Sequence, residues 1–235
     1  MKKVHIPWAR AGAEFIAILA GVTVALLADD WRQYRNDREE EQVALQEIHN
    51  DLAADSVALN KMRQLAQAQT EAAFWAQENF ERDLPADSAL QGIEPLGFLE
   101  LYQPPKSGYV GLRDSGRLAL VLNGDLRRRI VTYYESTQTY IQQLETLYHP
   151  RLKEYLDNRM EDILLVLHDS AGRLGSQDGF HQTLRRPWRQ ISSEFEFQTE
   201  TTYLGLLASN FGYRVDEAMK ENQQLRVAIT QELGT

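Results

Sequence analysis

The stretch AGAEFIAILAGVTVALLADDWRQYRNDREEE, residues 11–41, decides how this chain is read. Its first part, Ala11 to Ala28, is apolar except for Glu14. At about 18 residues it is close to the minimum that a helix needs to cross the hydrocarbon of a bilayer. Lys2, Lys3 and Arg10 precede the run, and Asp29 and Asp30 follow it. Positive charge stays on the cytoplasmic side, so the N-terminus is expected inside and the long remainder outside. Trp8 and Trp31 bracket the run, about 34 Å apart along a helix, one at each interface. A cleaved signal peptide has the same basic start and small residues such as Ala25 and Ala28. Three features oppose cleavage. Glu14 breaks the apolar core, Leu26 is the third residue before a cut after Ala28, where a small residue is preferred, and no turn residue follows Trp31.

Two features of the span bear on association. Ala13, Ala17, Gly21 and Ala25 recur every fourth residue and make one side smooth enough for a second helix to approach. Alanine is also a common filler of apolar helices, so the stripe has a plain reading beside the helix-packing one. Glu14 is an intramembrane carboxylate, costly unless it is protonated, paired or reached by water. Arg10 lies one turn back as a ready partner. The functional alternative is a contact to a neighbouring membrane subunit or a proton path.

Composition limits the rest. The chain has 235 residues, a formal net charge of -9 and no cysteine. That length supports a sizeable core outside the membrane. An acidic body is repelled by phosphates, which argues against nucleic acid. Without cysteine there is neither a disulfide nor a thiolate metal site.

Beyond the span the chain reads as helix. From Asp29 to about Phe80 there is neither Gly nor Pro. Leu45, Leu52, Leu59, Ala66 and Ala73 recur at heptad spacing, and Ile48 and Met62 mark the companion positions. Asp55 and Gln69 fall on the same seam, where apolar residues are expected. Such a seam fits a bundle within one chain and a coil between chains equally. The charged run Arg38 to Glu41 reads as a solvated face. Pro85, Pro95, Pro104 and Pro105, with Gly92 and Gly97, end the helix and mark a loop over 84–108. Phe98, Leu99, Leu101 and Tyr102 are expected to pack that loop back on the body.

The second block opens with a short helix ending near Leu122. Asn123-Gly124 then reads as a turn and Asp125 as the cap of the next helix. Leu126, Ile130, Tyr133, Ile141, Leu144 and Tyr148 follow helical spacing, with Tyr133 and Tyr134 as core and rim aromatics. Pro150 marks a boundary. Leu152, Leu156, Met160, Ile163, Leu164 and Leu167 give a further amphipathic helix, and Ser170 to Gly179 a loop. A last helix is expected from about Glu200 to Leu233, with Tyr203, Leu204, Leu207, Phe211, Val215, Met219, Leu225 and Ile229 inward. Ile191 to Phe197 is a weak strand candidate in a chain otherwise without strand alternation.

The fold expected is all-α: an N-terminal transmembrane helix continuing into a long helix, with an extracytoplasmic antiparallel bundle. The division is a cytoplasmic tail over 1–10, the transmembrane helix over 11–28, a long juxtamembrane helix over 29–83, the loop over 84–108 and a bundle domain over 109–235.

The opening block resembles the N-terminus of a family of bacterial single-pass membrane proteins of unknown function. Ala13-Glu14 stands where that family has Gly-Glu, and Asp29-Asp30-Trp31 where it has Asn-Asn-Trp. Residues 108–134 are similar to its second block, through Ser115-Gly116, Asn123 and Tyr133-Tyr134. The resemblance implies a bacterial inner-membrane anchor with a periplasmic helical domain, and no activity.

No sequence motif points to catalysis or a cofactor. His5, His49, His149, His168 and His181 form no HExxH or other helical metal pair, and GxSxG, GxxxxGK[ST] and GxGxxG are absent. His149, before Pro150, reads as a helix-terminal residue. Arg127-Arg128-Arg129 reads as a solvated face, with an anion or lipid-headgroup site as the alternative. No catalytic, cofactor or metal residue is assigned. The expected function is binding: a membrane-anchored interaction protein that contacts the bilayer and associates with itself or with a larger membrane complex. A ligand-sensing module and an extracytoplasmic enzyme with a noncontiguous site are the alternatives.

Overall fold

The computed structural model describes residues 8–155, 157, 164–168 and 180–234, with side chains of 8–13, 164–168 and 180–182 outside the description. The protein is mostly helical. Its elements are α1 (Trp8–Asn79), α2 (Ala86–Ile93), a 3-10 turn (Glu94–Gly97), α3 (Ser107–Asp114), a 3-10 turn (Arg117–Leu120), α4 (Gly124–Thr132), a π-helical segment (Tyr133–Gln138), α5 (Thr139–Tyr155), β1 (Leu164–His168), β2 (Phe180–Leu184), α6 (Trp188–Ser192) and α7 (Phe195–Leu233).

α1 runs unbroken through the expected boundary at residue 28. Its heptad seam is the spine of the fold. One row, Leu45, Leu52, Leu59, Ala66 and Ala73, is buried, and so is the companion row Ile48, Asp55, Met62, Gln69 and Ala76. The partner of the seam is α7 of the same chain, running antiparallel. Gly205 meets Ala73, Gly212 meets Ala66, the Asn222 amide reaches the Leu52 carbonyl at 3.0 Å, and Arg38 lies 3.6 Å from Glu232. The small residues set the spacing, since a Cβ on Gly205 would sit 2.5 Å from that of Ala73.

Three apolar clusters follow one another along α1. The first holds Leu45, Ile48 and Leu52 with Tyr109, Ile130 and Ile229. The second holds Leu59, Met62 and Ala66 with Tyr102, Ile141 and Phe211. The third holds Ala72, Ala73 and Ala76 with Trp188, Ile191 and Phe197. Asp55 lies in sequence between the first and second, and Gln69 between the second and third. α6 closes the far end of α1. Trp188 Nε1 donates to the Asn79 carbonyl at 2.9 Å and Ser192 Oγ to that of Phe80 at 2.6 Å, satisfying oxygens that a helix end leaves bare.

Several local expectations are corrected. The span expected to be a loop contains α2, which Pro85 precedes at the N-cap and in which Gly92 presses against the Trp75 ring. Of the four residues expected to pack the loop back on the body, Tyr102 is buried and Phe98, Leu99 and Leu101 are exposed, while Ala89, Ile93 and Leu96 of the same span are buried. The cap of α4 is Asn123, whose Oδ1 accepts from the Asp125 and Leu126 amides at 3.1 and 3.2 Å, so Asn123-Gly124 is a helix start. Pro150 lies inside α5, and His149 with it. Leu164 and Leu167 belong to β1, which pairs antiparallel with β2. A short unbroken apolar run such as LLVL fits either a strand or a buried helix. Leu156, Met160, Ile163 and Ser170–Gly179 lie outside the described residues. The strand expected at Ile191–Phe197 is instead the end of α6, a break at Ser193-Glu194 and the start of α7 at Phe195. Within α7, Tyr203 faces out.

The N-terminal part of α1 differs from the rest. From Glu14 to Asn36 every residue is exposed, including Phe15, Ile16, Ile18, Leu19, Val22, Val24, Leu26, Leu27 and Trp31. Contact with the bundle starts at about Glu41. Among the described residues no helix is long and apolar enough to cross a membrane. Glu14 on one side and Asp29-Asp30 on the other bound the apolar run of α1.

The glycines give a paired test of this packing. Gly205→Ala is expected to destabilise the bundle by about 1–3 kcal/mol through overpacking against Ala73. Gly111→Ala in α3, where no atom lies within 4 Å of the added Cβ, is expected to stabilise by about 0.5–1 kcal/mol by restricting the unfolded chain. Urea melts of the two variants check both signs.

Candidate functional site

A carboxylate placed on a core seam must find partners where water cannot reach. Asp55 is 0% exposed, and four neutral donors converge on it. Tyr102 donates its hydroxyl to Oδ1 at 2.7 Å. Tyr133 donates its hydroxyl to Oδ2, and the amides of Gln138 and Asn222 reach the same oxygen at 3.0 and 3.4 Å. Asn222 Nδ2 also donates to the Tyr133 hydroxyl at 2.9 Å. The four come from the extended segment over residues 98–106, the π-helical segment and α7, so one side chain of α1 ties these three to the spine.

The π-helical segment explains how two residues five apart reach one oxygen. On an α-helix, Tyr133 and Gln138 would face about 140° apart. The wider i to i+5 turn brings them onto one side. It also places Tyr134 flat on Tyr109, with ring centroids 4.6 Å apart and planes within 2°.

Burial pushes the Asp55 carboxyl above its ordinary 3.8, against the four hydrogen bonds, which favour the charged form. The hydroxyls of Tyr102 and Tyr133 are pushed far up, first by burial and then by the adjacent carboxylate. No cation acts on Asp55 among these influences. The group is sealed and has no open face toward a substrate.

Gln69 repeats the device in neutral form. Its Oε1 accepts from the Tyr148 hydroxyl at 2.6 Å, and its Nε2 donates to the Phe98 carbonyl at 2.8 Å. The extended segment is clamped between these points. Glu145 accepts the Tyr102 amide at 2.5 Å, and His149 lies 3.5 Å from Glu145. Burial raises the Glu145 carboxyl and lowers the His149 imidazole, the latter partly offset by a hydrogen bond to the Glu100 backbone.

Among the described residues, two grooves on the bundle open to solvent. One, of about 690 Å³, lies between α4 and α7 and carries Arg128, Arg129, Asp125 and Glu221, a balanced set in which Arg128 is already bonded to Asp125. The other, of about 450 Å³, lies between α1 and α3, and its charged lining residues are Glu39, Glu40, Glu47 and Arg117. The charged run 38–41 is only partly a solvated face. Glu41 is buried, accepting from Leu122 N–H at 2.7 Å and Arg38 Nη1 at 2.6 Å.

No family model, curated protein or solved structure matches this chain.

The residues singled out in the sequence divide by position. Ala17, Gly21 and Ala25 lie exposed along the free part of α1, and no atom comes within 4 Å of a Cβ built on Gly21. Glu14 is exposed on the same stretch, and Trp31 is exposed with the Arg35 guanidinium 5.4 Å over its ring. Trp8 and Ala13 belong to the helix, with side chains outside the description. Among the described residues no group of three or more His, Asp or Glu is placed to hold a metal. Asp55 and Gln69 stood out as breaks in the seam. Tyr102, Gln138, Asn222 and Glu145 did not, although Asn222 holds a core position between Ala218 and Leu225 at helical spacing, which is the signal that a polar partner lies opposite.

Two outcomes test the buried carboxylate. Asp55→Leu strands four donors, each costing about 1–3 kcal/mol when left unpaired, and is expected to lower the melting temperature more than Asp55→Asn, which keeps one acceptor oxygen. The sign of the pH dependence follows from the raised folded-state pKa. Folding takes up a proton above 3.8, so the contribution of Asp55 is greatest at low pH and declines as pH rises through its folded value. The stability of Asp55→Asn relative to the wild type is expected to rise from pH 4 to pH 7 in chemical melts, and a flat difference would contradict the raised pKa.

Proposed function

We propose that the protein is a membrane-anchored interaction protein whose N-terminal helix sits in the bacterial inner membrane and holds a helical bundle on the periplasmic side. The observation that carries this reading is the exposure of α1 from Phe15 to Trp31, where large apolar residues face outward all around the helix. A helix apolar on every side needs an apolar surrounding on every side. A groove on the protein's own body would cover one face only. The lipid bilayer supplies the rest, with Ala11–Ala13 completing the span and Glu14 near its inner edge, within reach of the headgroup region.

Orientation follows from the flanks. Lys2, Lys3 and Arg10 favour the cytoplasm for the N-terminus, and Asp29-Asp30 the opposite side for the bundle. Trp8 and Trp31 serve as interface anchors. The rod-like continuity of α1 supports the binding role, because it holds the bundle at a fixed height above the bilayer. Association with a second copy or a membrane-protein partner would use the smooth face of Ala13, Ala17, Gly21 and Ala25.

Membrane fractionation with an alkaline carbonate wash tests the anchor. The full chain is expected to stay in the membrane pellet, and the double variant Leu19→Arg with Val22→Arg to leave it, since two central arginines cost about 5–7 kcal/mol of insertion on translocon scales. Recovery of the wild type in the wash would overturn the reading. Gly21→Leu is expected to preserve insertion and weaken association, with Leu19→Ala as the control off that face; equal behaviour of the two would remove the smooth face from the account.

A further inference from the structure

We infer that the groove between α1 and α3 is a docking cleft for a cationic, amphipathic segment of a second protein in the same membrane. The inference rests on the anchored reading above for where the partner comes from, and on the groove itself for what it binds.

Two glycines three residues apart build the groove. Gly108 lets α3 lie directly on α1, since a Cβ there would come within 3.1 Å of the Glu47 backbone. Asp51 fixes the contact by accepting the Gly108 amide at 2.7 Å and the Ser107 hydroxyl at 3.2 Å. Gly111, one turn on, has nothing within 4 Å of its missing Cβ, so the same helix that touches α1 at one end leaves a hollow beside it. Ala44 and Leu112 form a buried apolar floor, and Val43, 63% exposed, stands in the wall.

Charge selects the guest. The lining carries Glu39, Glu40 and Glu47 against one base, Arg117, which is already paired with Glu40. Glu39 has only an exposed pair with Arg35 at 4.0 Å. Among the described residues Glu47 has no ion-pair partner. An apolar floor under a carboxylate rim fits an arginine or lysine, whose stem lies on apolar surface while its head stays at the charged edge. Anionic lipid headgroups are repelled by the same rim. Glu39 and Glu47 follow Trp31 by about 12 and 24 Å along the helix axis, a height that the juxtamembrane segment of a neighbouring anchored protein reaches.

The test uses the full chain in detergent micelles and two probes, a short amphipathic peptide of leucine and arginine and its twin with glutamate for arginine. The arginine peptide is expected to bind and the glutamate twin not. Gly111→Phe, which fills the hollow, and Glu47→Lys, which reverses the unpaired charge, are each expected to weaken binding about tenfold or more. Glu154→Lys, which makes the same change of net charge on exposed α5, is expected to leave it unchanged. Melting curves of all variants establish that they fold. Equal binding to wild type, Gly111→Phe and Glu47→Lys, or no preference between the two peptides, would overturn the cleft. So would protection of a probe at position 111 by a second copy of the chain alone. The measurement is independent of the anchor: a chain that leaves the membrane while its cleft still selects arginine overturns the anchored reading and not the groove.

Discussion

The bundle depends on how one buried carboxyl group is accommodated. An aspartate at a core seam loses its hydration, and only dense hydrogen bonding restores part of it. Asp55 recruits donors from an extended segment, a π-helical segment and α7, and each of these is thereby fixed in register against α1. A neutral leucine in its place would ask nothing of Tyr102, Tyr133, Gln138 or Asn222. The carboxyl group thus converts a general apolar preference into one arrangement. Gln69 does the same between the second and third clusters, with both halves of its amide in use.

Between these polar layers, size governs. Ala66, Ala73, Gly205 and Gly212 allow α1 and α7 to approach closely where bulky seam residues would hold them apart. Tyr102, Tyr133, Tyr148 and Trp188 then fill the volume at the sides, with their polar tips carried to Asp55, Gln69 and the Asn79 carbonyl. The result is a two-helix spine with shorter elements laid along it. The same helix, without a break, leaves this packing near Glu41, and its uncovered part carries the charged stretch Asp29–Glu40 and, before it, the apolar stretch Phe15–Ala28. One secondary-structure element thus has a covered half and an uncovered half, and the apolar character of the uncovered end is the physical basis of the proposed anchor.

Much of the spine was legible in the sequence, because heptad spacing reports burial directly. Leu45 through Ala73 were placed by period alone, and the two polar interruptions were visible as interruptions. What satisfied them was not. Tyr102 is 47 positions from Asp55 and Asn222 is 167 positions away, and no local pattern links such residues. The π-helical turn was hidden because its signature is a phase shift of one residue within an apparently regular helix. Asn123 rather than Asp125 became the cap because both can accept an amide hydrogen and only backbone geometry chooses between them. Pro150 failed to end α5 because tertiary packing of Tyr148 and Leu152 on either side outweighs one lost hydrogen bond. The paired strands were missed because an apolar run of strand length carries no period of its own.

The most direct test of the account follows the two environments of α1. The absence of native cysteine allows single spin labels to be placed from position 15 to position 52 in the full chain reconstituted in lipid vesicles, and their collision rates with oxygen and with an aqueous nickel reagent to be compared. Labels from 15 to 28 should meet oxygen freely and the aqueous reagent hardly at all, with no helical period. From Glu41 onward both reagents should follow a period of about 3.6 residues, with minima at positions 45, 48 and 52. Free access of the aqueous reagent along positions 15 to 28 would contradict the account.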